Sequence, residues 1–327
     1  VRDAGIVFSR YGGNRHSRWD WKTGNDAAGH DWYYMNGGAD EKDPAKVWFN
    51  EALRKNRERG VQTLFTLPLT GWVAKDNKSG SFTIAKYGEQ KGVDPEQKKF
   101  GNGLAPDGSP IKNDPRDAGK KVGPEYQRAF AAFIKHRYGP AGTKPAVGYA
   151  LDNEPGLWDS THKDIHPEQT GYDEIWAKTV AYAKAVKSAD PSALVWGPVE
   201  WGWLGIKNSA ADKGADGKYE TPDDSKAHGS DFFLKWYIQQ LAAYKKKTGK
   251  LLVDVIDVHD YPEVYVEGEG RIVMGQKGWN GGDSAASQKA RLLAVRTWWD
   301  PSYTPSGAGG SSWIGEPIYL LRRIQGY

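Results

Sequence analysis

The sequence predicts an α/β fold of the (β/α)8 barrel kind, on three observations. Strand-like apolar runs alternate with helix-patterned segments along the 327 residues, which implies a parallel sheet with covered faces. No G-x-G-x-x-G or phosphate-binding loop follows any strand, which weakens a doubly wound nucleotide-binding sheet. Polar and aromatic residues instead crowd the C-terminal end of nearly every strand: Arg10-Tyr11, Pro68, Asn153-Glu154, Glu200-Trp201 and His259-Asp260-Tyr261. A barrel gathers its chemistry at that end.

The elements follow in order. A strand over Ala4–Tyr11 leads to a helical pattern from Ala45 to Arg59, and Val61–Leu67 reads as the second strand. A Gly/Lys/Asp-rich loop runs from Gly71 to Gly123. The next helix places Tyr126, Phe130, Phe133 and Ile134 on one face and is closed by Gly139-Pro140, a stop signal. Val147–Leu151 is a continuous apolar run and reads as a short buried strand. A helix over about Asp173–Ser188, a strand at Leu194–Val199 and a helix carrying Phe233, Tyr237, Leu241 and Tyr244 on one stripe come next. Lys245-Lys246-Lys247 reads as the solvated end of that helix, where cations suit the dipole. Strand Leu252–His259, a helix near Ser284–Thr297 and a shorter helix beginning at Glu316 complete the pattern.

This count gives five strands, where a closed barrel of the type has eight. The expectation is therefore one barrel domain over residues 1–327, incomplete at both ends and holding about strands 2 to 6 of the eight.

Composition narrows the function. The net charge of +4 is small against 45 basic and 41 acidic residues, and no basic block suggests a nucleic-acid partner. No apolar run is long enough to cross a membrane. Zero cysteines exclude disulfides, thiol catalysis and Cys-ligated metals. Pairs such as Asp223-Asp224 read as solvated loop acids, no EF-type calcium loop occurs, and no metal ligands are assigned. Fifteen Trp and 17 Tyr in an otherwise hydrophilic chain exceed what an ordinary core requires. Trp19, Trp21, Trp32, Trp72, Trp158, Trp201 and Trp203 stand in loops beside Gly or Asp. Flat rings at a surface stack on the apolar faces of sugars, although about two of every three Trp are expected to serve packing.

Asp152-Asn153-Glu154-Pro155 closes the Val147–Leu151 strand. Taken alone, the tetrapeptide is equally well a polar strand-to-loop turn. At a barrel mouth, Asn153 is placed to bind a sugar hydroxyl while Glu154 delivers a proton, with desolvation raising its pKa toward working pH. Glycosidic cleavage takes two carboxyl groups, about 5–5.5 Å apart for retention and about 6.5–9.5 Å for inversion. By position alone Glu200, Asp260 and Glu263 are each open as the partner carboxylate, and each is also explained as a hydroxyl-binding or loop-ordering acid. His259 and Tyr261 are candidates to orient a carboxylate or bind sugar.

Several motifs together resemble glycoside hydrolase family 44: Arg10-Tyr11-Gly12-Gly13-Asn14, the run from Tyr149 to Trp158, Thr161-His162, His166-Pro167, Gly197-Pro198-Val199-Glu200-Trp201-Gly202, the run from Asp257 to Glu263, Trp298-Trp299-Asp300 and Trp313-Ile314-Gly315-Glu316-Pro317. The resemblance covers nearly the whole chain. It implies a secreted, monomeric, retaining endo-β-1,4-glucanase (cellulase) acting on cellulose-type chains and xyloglucan. It implies a (β/α)8 barrel with a small β-sandwich, the sandwich missing here, and no cofactor required for catalysis; members of the family can carry structural calcium. Glu154 becomes the acid/base, with Asn153, Arg10, Asn14, Trp32, Trp72, Glu200, Trp201, His259 and Tyr261 as substrate-binding candidates. The family's nucleophile is a Glu in a Ser/Thr-Glu-Tyr motif, and none follows Glu316, so the resemblance places the nucleophile outside this chain. The alternatives are a non-catalytic glucan-binding protein of the same fold, or a hydrolase using Glu200 or Glu263 as second carboxylate.

Overall fold

The computed structural model describes residues 5–214, 216–219, 223–230, 232–273, 284–305 and 317–327, with the backbone alone at Glu263 and at 271–273. Trp313–Glu316, which holds most of the last of those motifs and the predicted start of the final helix, lies outside the described residues.

Five strands run side by side in chain order, all parallel: β1 (Phe8–Tyr11), β2 (Gln62–Leu67), β3 (Val147–Leu151), β4 (Leu194–Trp201) and β5 (Val255–His259). These are the five strands expected from the sequence, arranged as half of a parallel barrel. Helices α1 (Trp48–Glu58), α2 (Pro124–Tyr138), α3 (Tyr172–Ala189) and α4 (Phe233–Thr248) fill the crossovers, and α5 (Ala285–Ala294) and α6 (Leu320–Gln325) follow the sheet. β3 is buried at all five positions, because it has a strand on each side and covered faces. At the margins, β1 and β5 are partly exposed or exposed at every position.

Local chemistry sets the helix ends. α2 opens with Pro124 after Gly123 and stops at Gly139, φ 84°; proline suits a first turn whose N–H has no partner, and glycine tolerates the positive φ. α4 stops at Gly249, whose N–H donates to the Lys245 carbonyl at 2.8 Å, and Lys245–Lys247 are exposed in its last turn, as expected. The acid pair is different. Asp224 is no solvated loop acid: its Oδ2 accepts from the Tyr172 N–H at 2.9 Å and the Ser209 hydroxyl at 2.6 Å. A carboxylate there satisfies an unpaired donor of α3 and suits the positive end of its dipole.

An aromatic cluster forms the core beneath β1–β3. Trp19 meets Phe130 edge-on at 5.3 Å between centroids, Phe49 meets Phe130 at 5.2 Å, and Phe130 meets Tyr149 at 6.0 Å. Edge-to-face packing places positive ring edges on negative faces. The Trp19 indole N–H donates to the Thr66 carbonyl at 2.7 Å, which satisfies its polar atom in the interior. Of the seven loop tryptophans, Trp19, Trp21, Trp158 and Trp203 are buried. They are packing residues, the majority role anticipated.

The Gly71–Gly123 segment contains more structure than a loop. Trp72–Ala74 pairs antiparallel with Gly119–Lys121, Ile84–Tyr87 makes a helical turn, and Phe82 and Phe100 are buried. Asp76, Asp94 and Asp107 each accept the backbone N–H two residues on, at 2.8–3.1 Å. Such side-chain turns substitute for ladder bonds, and they leave no period in the sequence to read. A second unpredicted element is the hairpin Glu263–Val266/Gly270–Val273, turned by Gly268 and Gly270 at φ 78° and 81°.

Candidate active site

The chain leaves β3 through a contorted turn. Asp152 and Glu154 have φ of 70° and 50°, a region in which side-chain-bearing residues are uncommon. The turn is held from both sides. The Asp152 carboxyl is fully buried and accepts from the Leu69 N–H at 2.5 Å and the Asn153 N–H at 2.7 Å, tying the end of β3 to the segment after β2. Burial pushes its pKa up to about 6, against the pull of these bonds, the Ser17 hydroxyl and the Lys178 ammonium. On the other side, the Glu154 N–H donates to the Val199 carbonyl at 2.9 Å.

The turn presents Asn153 and Glu154. One Glu154 oxygen lies 2.8 Å from His259 Nδ1, and the side chain keeps 17% exposure. The Asn153 amide nitrogen lies 3.4 Å from the other oxygen. Asn153 itself is nearly buried and bonded to Arg10 at 2.7 Å and Asn14 at 3.0 Å. Asn14 in turn donates to Asp31 Oδ2 at 2.8 Å. The structure thus joins Arg10, Asn14, Asn153, Glu154 and His259 from the ends of β1, β3 and β5 into one hydrogen-bonded group. A partly exposed carboxyl at its centre, one oxygen held and the other near an amide, can exchange a proton with a bound molecule.

The other candidates lie variously around it. Trp32 is half exposed in the turn Gly29–Trp32, next to Asp31. Trp72 is partly exposed on the ribbon and packs over Gly119. Tyr261 is exposed beyond β5. Trp201 is partly buried, and its indole nitrogen lies where a Cβ on Gly156 would meet it, at 3.1 Å. Asp260 Oδ2 accepts from the Trp298 indole at 2.6 Å, so that acid is engaged in holding a ring. The side chain of Glu263 lies outside the described residues.

Glu200 is not where a substrate-contacting or nucleophilic carboxylate belongs. It is 1% exposed, tucked behind the turn, with Oε2 accepting from the Gly156 N–H at 3.2 Å. Burial pushes its pKa up to about 8, which favours the neutral acid. β4 creates this placement. Its register with β5 slips between Pro198 and Glu200, and Val199 takes φ 63°, strained for a β-branched residue. Strand alternation alone gives Glu200 an orientation but no hint of that slip.

Sequence reasoning also missed Asp31, which no local pattern marks, and Asp257. Burial raises the Asp257 pKa, opposed by His259 and Arg10 nearby. Among the described residues no three His, Asp or Glu side chains are grouped to hold a metal ion, and no helix is long and apolar enough to cross a membrane.

Residues 25–264 match the model of the family described as Glycoside hydrolase family 44. The chain belongs to that family. It is 32% identical to Endoglucanase A of Paenibacillus lautus over 97% of its own length and 43% of that protein. Among solved structures, CelM2, a bifunctional glucanase-xylanase from a metagenome library, superposes with TM-score 0.86 at 34% identity, covering 99% of this chain and 61% of that one. A Paenibacillus polymyxa xyloglucanase of family 44 gives 0.73 at 29% identity, again covering 99% and 61%. The chain thus spans less than half of the curated relative and about three-fifths of these solved chains.

Proposed function

We propose that this family 44 chain supplies the acid/base half of a secreted, retaining, endo-acting hydrolase of β-1,4-glucans, cellulose-type chains and xyloglucan. The observation that carries the reading is the Glu154 carboxyl at the C-terminal end of β3, partly exposed and hydrogen-bonded to His259 at 2.8 Å. The activities of the relatives, an endoglucanase and a xyloglucanase, support the substrate class.

In double displacement, Glu154 donates its proton to the glycosidic oxygen as the bond to the anomeric carbon breaks and a second carboxylate attacks that carbon. Glu154, now anionic, takes a proton from the water that releases the covalently held sugar. Asn153 and Arg10 bind sugar hydroxyls beside it, and Trp32, Trp72, Trp201 and Tyr261 supply apolar faces. The chemistry uses carboxyl groups alone, so no cofactor is required. Glu200 is buried behind the turn and Asp260 holds Trp298, which leaves Glu263 among the acids considered; that no Ser/Thr-Glu-Tyr motif follows Glu316 supports a nucleophile outside this chain.

The test is reducing-sugar release from soluble carboxymethylcellulose and xyloglucan by this chain and by Glu154→Gln, with glucan binding measured in parallel. Binding without release is the expected result. Release abolished in the variant would put the nucleophile inside the chain, and release unchanged in it would overturn the role of Glu154.

A further inference from the structure

Two consecutive residues of β4 grip the turn that carries Glu154. The Val199 carbonyl accepts the Glu154 N–H at 2.9 Å, and Glu200 Oε2 accepts the Gly156 N–H at 3.2 Å. The turn between them, Pro155–Leu157, is also held by the Thr170 hydroxyl on the Pro155 carbonyl at 2.9 Å. Gly156 fits its place because it has no side chain: a Cβ there would lie 2.8 Å from Glu200 Oε2. Both β4 contacts depend on the register slip and on Val199 at φ 63°, and backbone strain of this kind persists only where surroundings over-determine it.

Glu200 has a second peculiarity. Its Oε1 is buried and has no hydrogen-bond partner among the described residues, which costs free energy that an apolar side chain would not. The titratable groups acting on it are Glu154 from the turn, Tyr237 from α4 and Tyr219 from the loop after β4, none of them cationic. A mere filler of this space has no need of an acceptor aimed at the Gly156 N–H.

We propose that Glu200 is a positioning residue for the acid/base: it fixes the turn through the Gly156 N–H and so holds the Glu154 carboxyl against His259. The inference rests on the reading of Glu154 given above, although the contact it concerns can be measured without catalysis. Losing the acceptor frees the turn at Gly156 and lets the Glu154 carboxyl leave the imidazole.

The experiment follows the His259 ring 15N shifts by NMR in 15N-histidine-labelled chain at one pH, with His259→Asn to assign its signals and Glu154→Ala as the unpaired reference. Glu200→Ala and Gly156→Ala are each expected to move the His259 ring shifts at least halfway toward that reference. Glu200→Gln, whose amide oxygen replaces Oε2, is expected to restore the parent ring shifts. Folded Glu200→Ala or Gly156→Ala protein with unmoved His259 ring shifts overturns the proposal. Should Glu200→Ala not fold, Gly156→Ala, which presses on the same oxygen from the other side, decides alone. The acid/base reading stands or falls separately, on hydrolysis by Glu154→Gln.

Discussion

Replacing Asp152 by Asn should flatten part of the pH dependence of folding, by an amount the structure sets. Two effects compete at this carboxyl. Burial favours the neutral acid, while the Leu69 and Asn153 N–H groups at 2.5 and 2.7 Å and the Lys178 ammonium favour the anion. Burial wins, raising the pKa from 3.8 to about 6. Between those values the folded chain keeps a proton that the unfolded chain has released. The group's contribution to stability is therefore full below pH 3.8 and lost as the pH rises through 6. At 1.36 kcal/mol per pH unit the loss comes to about 3 kcal/mol. Asparagine does not titrate, so the stability of the parent minus that of Asp152→Asn should fall by about that much from roughly pH 2.5 to pH 7.5. Urea titrations followed by tryptophan fluorescence measure it. With an m-value of about 3 kcal/mol/M, the relative midpoints should move by about 1 M. Subtracting the two proteins cancels other titrating groups, Glu200 and Asp257 among them. A difference constant across the range would refute the reasoning. One that grew with pH would show that hydrogen bonding to the anion outweighs burial.

Two further outcomes follow from other parts of the molecule. Arg18 and Asp164 form a fully buried ion pair at 2.7 Å; Arg18→Met, which strands the carboxylate, should cost about 3–5 kcal/mol in urea unfolding, and Arg18→Met/Asp164→Leu should recover most of it. A double variant no more stable than the single one would contradict this. Trp32 is half exposed, so Trp32→Ala should change stability by no more than about 0.5 kcal/mol. On the proposed function it should also weaken xyloglucan binding about tenfold, some 1.4 kcal/mol, read by affinity electrophoresis, where unchanged mobility would remove Trp32 from the binding face.

The parallel strands were legible because burial on both faces forces continuous apolar runs such as Val147–Leu151, and the helices because their apolar stripes must face that sheet. The meeting of Arg10, Asn153, Glu154 and His259 was legible for the same reason: residues just past parallel strands share one end of the sheet. Glu200 obeyed that logic in position but not in exposure. A one-residue slip at Val199 turns it inward, and no propensity marks a valine at positive φ. Trp19 and Trp158 show the corresponding limit for aromatics, since a ring beside Gly or Asp in sequence packs inward wherever a helix covers it. The turns built on Asp76, Asp94 and Asp107 rest on two or three local side-chain bonds each, which have no periodicity.

The Arg10–Asn153–Asn14–Asp31 chain has an electrostatic consequence. A guanidinium can only donate and an ionised carboxylate can only accept, so the two ends dictate the sense of every bond between them. Asn153 must turn its oxygen to Arg10 and its nitrogen to Asn14, and Asn14 must do likewise toward Asp31. Neither amide is free to flip. Their dipoles stand head to tail before any ligand arrives, and the remaining Asn153 N–H is left on the side of Glu154. A hydroxyl entering there meets a donor whose direction is already set, so the reorganisation that water would require has been completed by folding.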